Sequence, residues 1–232
     1  MPRRIDVSPQ RFAGWIDAFA ERHGGLTAQA GQDSVFFAAA DGAAASCQVP
    51  FPPLGQPGPA DAASLADAAS PAGPASPAPA DMARAVAAHA TADRTVGVLL
   101  VRLGGYAAGV FTGTEPVLAA SKVGSRLVHG RSAAGGQSQR RFARRRENQA
   151  QQALAAAADT AAAVFGPYRL DALVLGGDRR AFAPIMKDAR LAPHLAVAVR
   201  AFLTVPDPRL TVLKDTPRQF RAISITIDEP AG

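Results

Sequence analysis

From Ser138 to Val164 the chain runs without a proline or a glycine, and alanine, glutamine and arginine dominate the stretch. Such residues lose little freedom in a helix, so the run predicts one long helix, which Gly166-Pro167 ends. The patterns on either side are those of strands. Thr95 to Val101 is a β-branched and leucine run that predicts a buried strand, and Gly104-Gly105 turns the chain into 106–111, with further strands at 116–123 and 126–129. Beyond the long helix, Leu170 to Leu175 predicts a strand that closes at Gly176-Gly177-Asp178, with Asp178 placed to cap a helix over 179–189. Residues 195–199 predict another strand and 207–219 a helix, and Ile223, Ile225 and Ile227 alternate as a last strand. Strands first, then β-α-β-α-β, predict an α/β domain over about 95–228, a mixed sheet with helices.

Upstream the pattern changes. Phe12, Trp15, Ile16 and Phe19 stand at helical spacing over 9–23, and 33–38 with 45–49 predict a hairpin around Asp41-Gly42. From Pro50 to about Ala80 the sequence is mostly proline, alanine, serine and glycine. So few large apolar side chains cannot offset the entropy of ordering that stretch. The expected organisation is a small N-terminal α+β appendage over 1–50, a flexible linker over 51–80, and the main domain over 81–232, whose first helix is 81–90.

Hydrophobic residues make up 48% of the 232 residues, enough for a core, but only 6% are aromatic, so that core is rich in small side chains. The net charge of +6 rests mainly on arginine and favours a polyanionic partner. Cys47 is the only cysteine, which excludes an internal disulfide, and the scattered histidines 23, 89, 129 and 194 give no metal-ligand cluster. No apolar run is long enough to span a bilayer, and the first residues lack the apolar stretch of a signal peptide, so a cytoplasmic protein without a membrane partner is expected.

The segment ahead of the long helix carries the chemistry. It reads Ser132-Ala-Ala-Gly-Gly-Gln-Ser-Gln-Arg-Arg-Phe-Ala-Arg-Arg-Arg-Glu147. Gly135 and Gly136 allow positive φ and a close backbone approach to another molecule, Gln137 supplies an uncharged donor and acceptor, and the arginines that follow seek phosphate. Gly135-Gly136-Gln137-Ser138 followed by Arg141-Phe142, Arg144 and Arg146 resembles the catalytic loop and helix of the eukaryotic and archaeal class-one peptide release factors. The element order over 95–228 is similar to the middle domain of that family. Ala133 and Ala134 stand where the family often has a glycine and an arginine, nothing resembles its stop-codon-reading motif, and the chain ends where the family's third domain would begin. What remains resembles the Vms-like release factors of ribosome quality control.

That resemblance implies a ribonuclease-H-like fold, a tip loop over 131–138, and hydrolysis of the ester between nascent peptide and transfer RNA. Gln137 is then the catalytic glutamine, with Gly135 and Gly136 shaping the tip. The implied partners are the large ribosomal subunit with its RNA and peptidyl-tRNA, met by a monomer that needs no cofactor and no metal.

Residue chemistry agrees. Ester hydrolysis requires a positioned water and stabilisation of the developing oxyanion. A glutamine amide has no pKa near neutrality, so Gln137 suits positioning rather than proton abstraction, and ribose hydroxyls of the substrate are left to relay the proton. Ser132 and Ser138 have His129 near in sequence but no nucleophile-elbow motif. Arg140, Arg141, Arg144 and Arg145 fall within about 140° of the helix circumference and form a cationic face for RNA phosphates. Arg126, Arg131 and Arg146 extend the RNA-binding set. A metal-dependent nuclease would need carboxylates at strand ends, and Thr95 to Arg102 carries none. The competing reading from another class is a non-catalytic ribosome- or RNA-binding protein that keeps the basic helix.

Overall fold

The computed structural model describes residues 2–55, 77–102, 104–125 and 138–230, with the helical backbone alone over 138–146. Its contacts divide the chain into two compact units, Met1–Ala92 with Arg221–Gly232, and Asp93–Phe220. Unit 2 is thus inserted, in sequence, before the last strand of unit 1.

Unit 1 contains β1 (Arg3–Val7), α1 (Pro9–His23), β2 (Leu26–Ala30), β3 (Ser34–Ala39), β4 (Ala44–Gln48) and α2 (Pro79–Thr91), and ends with β10 (Ile223–Asp228). The strands form one antiparallel sheet in the order β1-β10-β4-β3-β2. Alternation explains its layering. Ile223, Ile225 and Ile227 of β10, Val35 and Phe37 of β3, and Ala45 and Cys47 of β4 are buried with Phe12, Ile16 and Phe19 of α1 and Met82, Ala83 and Val86 of α2. Pro9 opens α1, where its missing N–H goes unneeded, and Gly24 at φ +76° follows its last residue. The expected turn at Asp41-Gly42 is present: Asp41 accepts from the Ala43 N–H at 2.9 Å and Gly42 takes φ +90°.

Unit 2 contains β5 (Val96–Arg102), β6 (Gly105–Thr112), β7 (Val117–Ser125), α3 (Ser138–Phe165), β8 (Ala172–Gly177), β9 (Ala198–Leu203) and α4 (Leu210–Phe220). The sheet order is β7-β6-β5-β8-β9, with antiparallel pairing from β7 to β5 and parallel pairing from β5 to β9. This is the expected α/β arrangement of a mixed sheet and helices. The face carrying Leu99, Val101, Ala108 and Val110 packs under α3. On the other face α4 brings Leu213 so close to Gly109 that an added Cβ would stand 2.9 Å from its Cδ2.

The structure departs from the sequence reading in several places. The last strand, expected at the end of the α/β domain, lies between β1 and β4, because its isoleucines complete the other core. The helix expected at 81–90 as the start of the main domain is α2, and its Met82, Ala83 and Val86 bury in unit 1. Strands β1 and β2 were not foreseen, since Arg3-Arg-Ile-Asp-Val7 and Leu26-Thr-Ala-Gln-Ala30 at the sheet rims carry few large apolar residues. In place of a continuous helix over 179–189 there are two short turns, each started by an aspartate that accepts the backbone N–H two residues on: Asp178 from Arg180 and Asp188 from Arg190, both at 3.0 Å. Pro193 stands in the first turn of the helical residues that follow the second, where its missing N–H goes unneeded. The expected strand at 126–129 and residues 56–76 of the expected linker lie outside the described residues.

Candidate nucleic-acid interface and catalytic loop

Helix α3 is the element that positions the site. From Ala153 onward it is held in the core of unit 2: Ala153, Ala157, Ala158, Thr160, Ala161, Val164 and Phe165 are all buried. The stripe is mostly alanine, which lets the helix lie close over the small residues of β6. Phe165 is fully buried and meets His194 edge-on at 5.6 Å. Gly97 leaves room at this end, since an added Cβ would stand 2.5 Å from Leu170 Cδ1 and 3.5 Å from Phe165 Cε1. Toward its N-terminus the helix leaves the core: Glu147, Asn148, Gln151 and Gln152 are exposed.

The tip expected from sequence falls between two fixed points. β7 ends at Ser125 and α3 begins at Ser138, the residue after Gln137. Gly135, Gly136, Gln137, Arg126 and Arg131, with Ser132 and His129, lie outside the described residues. Arg140, Arg141, Arg144, Arg145 and Arg146 lie on the first turns of α3, where only the backbone is described.

Beside α3, at the carboxyl ends of the parallel strands β5 and β8, is a cavity of about 170 Å³ lined by Val101, Arg102, Tyr106, Leu154, Asp178 and Arg180 among others. This end of an open α/β sheet is where ligand sites tend to form. Gly177 makes the local geometry possible: it takes φ +107°, a Cβ there would run into the Val101 carbonyl, and the next N–H, of Asp178, donates to that carbonyl at 2.8 Å. Two of its ionisable groups are engaged, with Arg102 Nη1 donating to the Val205 carbonyl at 2.8 Å and Asp178 capping its turn. No carboxylate pair converges here among the described residues. Sequence reasoning missed Arg102 and Arg180 at this rim because strands β5 and β8 are 70 residues apart in the chain and only their parallel pairing brings the two ends together.

Charge separates the two units. Unit 2 holds nineteen of the 25 Lys and Arg and nine of the 19 Asp and Glu, a net +10; unit 1 holds six and ten, a net −4. The overall excess of positive charge therefore belongs to the unit that carries α3.

The other residues singled out in sequence have structural duties. Trp15 is half-buried against the core of unit 1 and stacks on Phe19 at 5.3 Å. His23 Nδ1 meets Asp41 Oδ2 at 2.8 Å, and the Ala43 N–H with that imidazole holds the Asp41 carboxyl below the usual carboxylate range. His89 pins residues 51–55 to α2: its Nδ1 accepts from the Gly55 N–H at 3.3 Å and its Nε2 lies 3.0 Å from the Phe51 carbonyl. His194 is partly desolvated, which lowers its pKa. Asp171 accepts from the Thr95 N–H at 2.7 Å and joins the starts of β5 and β8. Among the described residues, no group of three His, Cys, Asp or Glu is placed to hold a metal ion, and no helix is long and apolar enough to cross a membrane.

A family model described as Actinobacteria/chloroflexi VLRF1 release factor matches residues 94–226. That stretch takes in β5 through α4 and most of β10. No curated protein matches the chain.

Proposed function

The chain belongs to the Actinobacteria/chloroflexi VLRF1 release factor family, and from that membership we propose that it is a codon-independent peptidyl-tRNA hydrolase, freeing nascent chains from stalled ribosomes or large subunits. The observation that carries the proposal is the position of Gly135-Gly136-Gln137 within the family match, directly ahead of a helix whose far half is built into the core.

In this reading Gln137 holds the attacking water, or the oxyanion that forms as water adds to the ester carbonyl, through its amide or its backbone N–H. Water attacks the carbonyl carbon, the ester C–O bond breaks, the peptide leaves as a carboxylic acid, and the transfer RNA regains its ribose hydroxyl with the proton from water. Gly135 and Gly136 let the backbone come close to the substrate where a Cβ would obstruct. At 3.6 residues per turn, positions 140, 141, 144 and 145 of α3 centre roughly 155° from the stripe that packs the core, the side left for phosphates. Guanidinium groups there neutralise backbone phosphates and hold the tip on the large subunit.

Among the described residues neither unit contains a feature that reads as a stop-codon decoder, and release is expected to ignore the codon. Single-turnover release compared on sense-codon complexes, stop-codon complexes and isolated large subunits carrying peptidyl-tRNA tests the reading. Release from large subunits at least as fast as from stop-codon complexes supports it. Strict dependence on a stop codon overturns codon independence, and no release from any of the three overturns hydrolysis in favour of a binding protein.

A further inference from the structure

The rim of unit 1 at β1 has no part in the release reading. β1 pairs with β10 on one side only, so its other edge presents backbone N–H and C=O groups that no strand of the sheet uses. On the covered face α1 packs against α2, and α2 reaches β2 at the opposite rim, which leaves a flank of α1 beside the free edge. Between them runs an open groove of about 610 Å³ lined by Ile5, Val7, Arg11, Gly14, Trp15 and Ala18 among others. Ile5, Val7 and Trp15 are only half-buried, Gly14 and Ala18 are exposed, and a Cβ at Gly14 would meet nothing within 4 Å.

Charged residues on an edge strand commonly repel another strand, but on the outer face of β1 Arg4, whose Nε donates to Ser224 Oγ at 2.7 Å, and Asp6 are of opposite sign, while Arg3 lies on the same face as Ile5 and Val7. The register with β10 places Arg4 opposite Thr226 and Asp6 opposite Ser224, on the face away from the helices, and Ile5 opposite the buried Ile225. A second β1 laid antiparallel about a two-fold axis at Ile5 sets Arg4 against the second copy's Asp6, and Asp6 against the second copy's Arg4. Both are opposite-charge cross-strand pairs. The same axis brings α1 antiparallel to its copy.

We propose that the partner of this surface is a second copy of the chain, joined edge to edge through β1 and flank to flank through α1, in place of the monomer expected from sequence. The two five-stranded sheets become one continuous antiparallel sheet, and the half-buried Ile5, Val7 and Trp15 lose their remaining contact with water.

Light scattering and sedimentation of the full chain at rising concentration read the mass, expected to move from 23.8 kDa toward twice that value. Asp6→Arg and Arg4→Asp each set like charges opposite one another twice, and each should weaken the dimer by at least about tenfold. The double variant Arg4→Asp/Asp6→Arg restores complementarity and should dimerise like the original chain. Mixing the two single variants should give a heterodimer. Both side chains are exposed, and far-ultraviolet circular dichroism with a cooperative urea transition verifies that each variant is folded. The proposal is overturned if the original chain stays monomeric, if neither single variant weakens the dimer, or if the double variant remains monomeric.

Discussion

Ending the chain at Phe220 should unfold unit 1 and leave unit 2 standing. The removed segment contains β10, an interior strand that pairs with β1 on one side and β4 on the other through five residue pairs each. It also contains Ile223 and Ile225, with no exposed surface, and Ile227 at 8%. Burying an isoleucine contributes about 1.5–3 kcal/mol, so these three account for roughly 5–9 kcal/mol. Both backbone ladders are lost in addition, at about 0.5–1.5 kcal/mol net per hydrogen bond. The total matches or exceeds the roughly 5–15 kcal/mol that holds a whole domain together. Trp15, the only tryptophan, lies on α1 and reports on unit 1 alone, while all the elements of unit 2 remain in the shortened chain. Truncated protein should show the emission of a water-exposed indole with no cooperative change in urea, and circular dichroism should still record a cooperative melt from unit 2. A blue-shifted Trp15 signal that unfolds within about 1 kcal/mol of the full chain would refute the reasoning, because it would mean β10 is dispensable.

Two further predictions concern charge. Neutralising Arg140, Arg141, Arg144 and Arg145 together should weaken ribosome or transfer-RNA binding and flatten its salt dependence, since fewer counterions are released; an unchanged slope would show that these arginines meet only solvent. Burial pushes the Cys47 thiol from 9.0 up to about 12. The thiol ionises in the unfolded chain first, so unit 1 should lose stability as pH rises from 9 toward 12, by up to about 1.4 kcal/mol per pH unit. Unit 1 has no lysine and no tyrosine to confuse the reading. Urea unfolding followed at Trp15 should therefore show the alkaline loss in the original chain and not in Cys47→Ala; equal loss in both would contradict it.

What could be read from the sequence depended on how local the determining interactions are. The long helix was legible because composition alone specifies it, and the start of α1 and the turn at Gly42 because a proline and a glycine sit where backbone geometry needs them. The strand pattern of unit 2 was legible through Val96 to Val101, an unbroken buried run. Membership of a strand in a sheet was not: Ile223-Ser-Ile-Thr-Ile-Asp228 states which face is buried but not which core buries it, and the partners in that core, from Phe12 to Val86, all precede the whole of unit 2. Rim strands β1 and β2 escaped because a strand with one neighbour need bury only part of one face. The tip expected at Gly135, Gly136 and Gln137 rests on the residue types themselves, and those residues lie outside the described ones. Cavity residues Arg102 and Arg180 were invisible, since only parallel pairing makes them neighbours.

The proposed chemistry turns on Gln137. Single-turnover hydrolysis of peptidyl-tRNA on isolated large subunits, measured for the original chain and for Gln137→Ala with ribosome binding determined alongside, isolates the chemistry from the affinity. If Gln137 positions the reacting water as proposed, the release rate falls by orders of magnitude while binding and thermal unfolding stay close to the original. A Gln137→Ala protein that binds equally well and releases peptide at the original rate would contradict it.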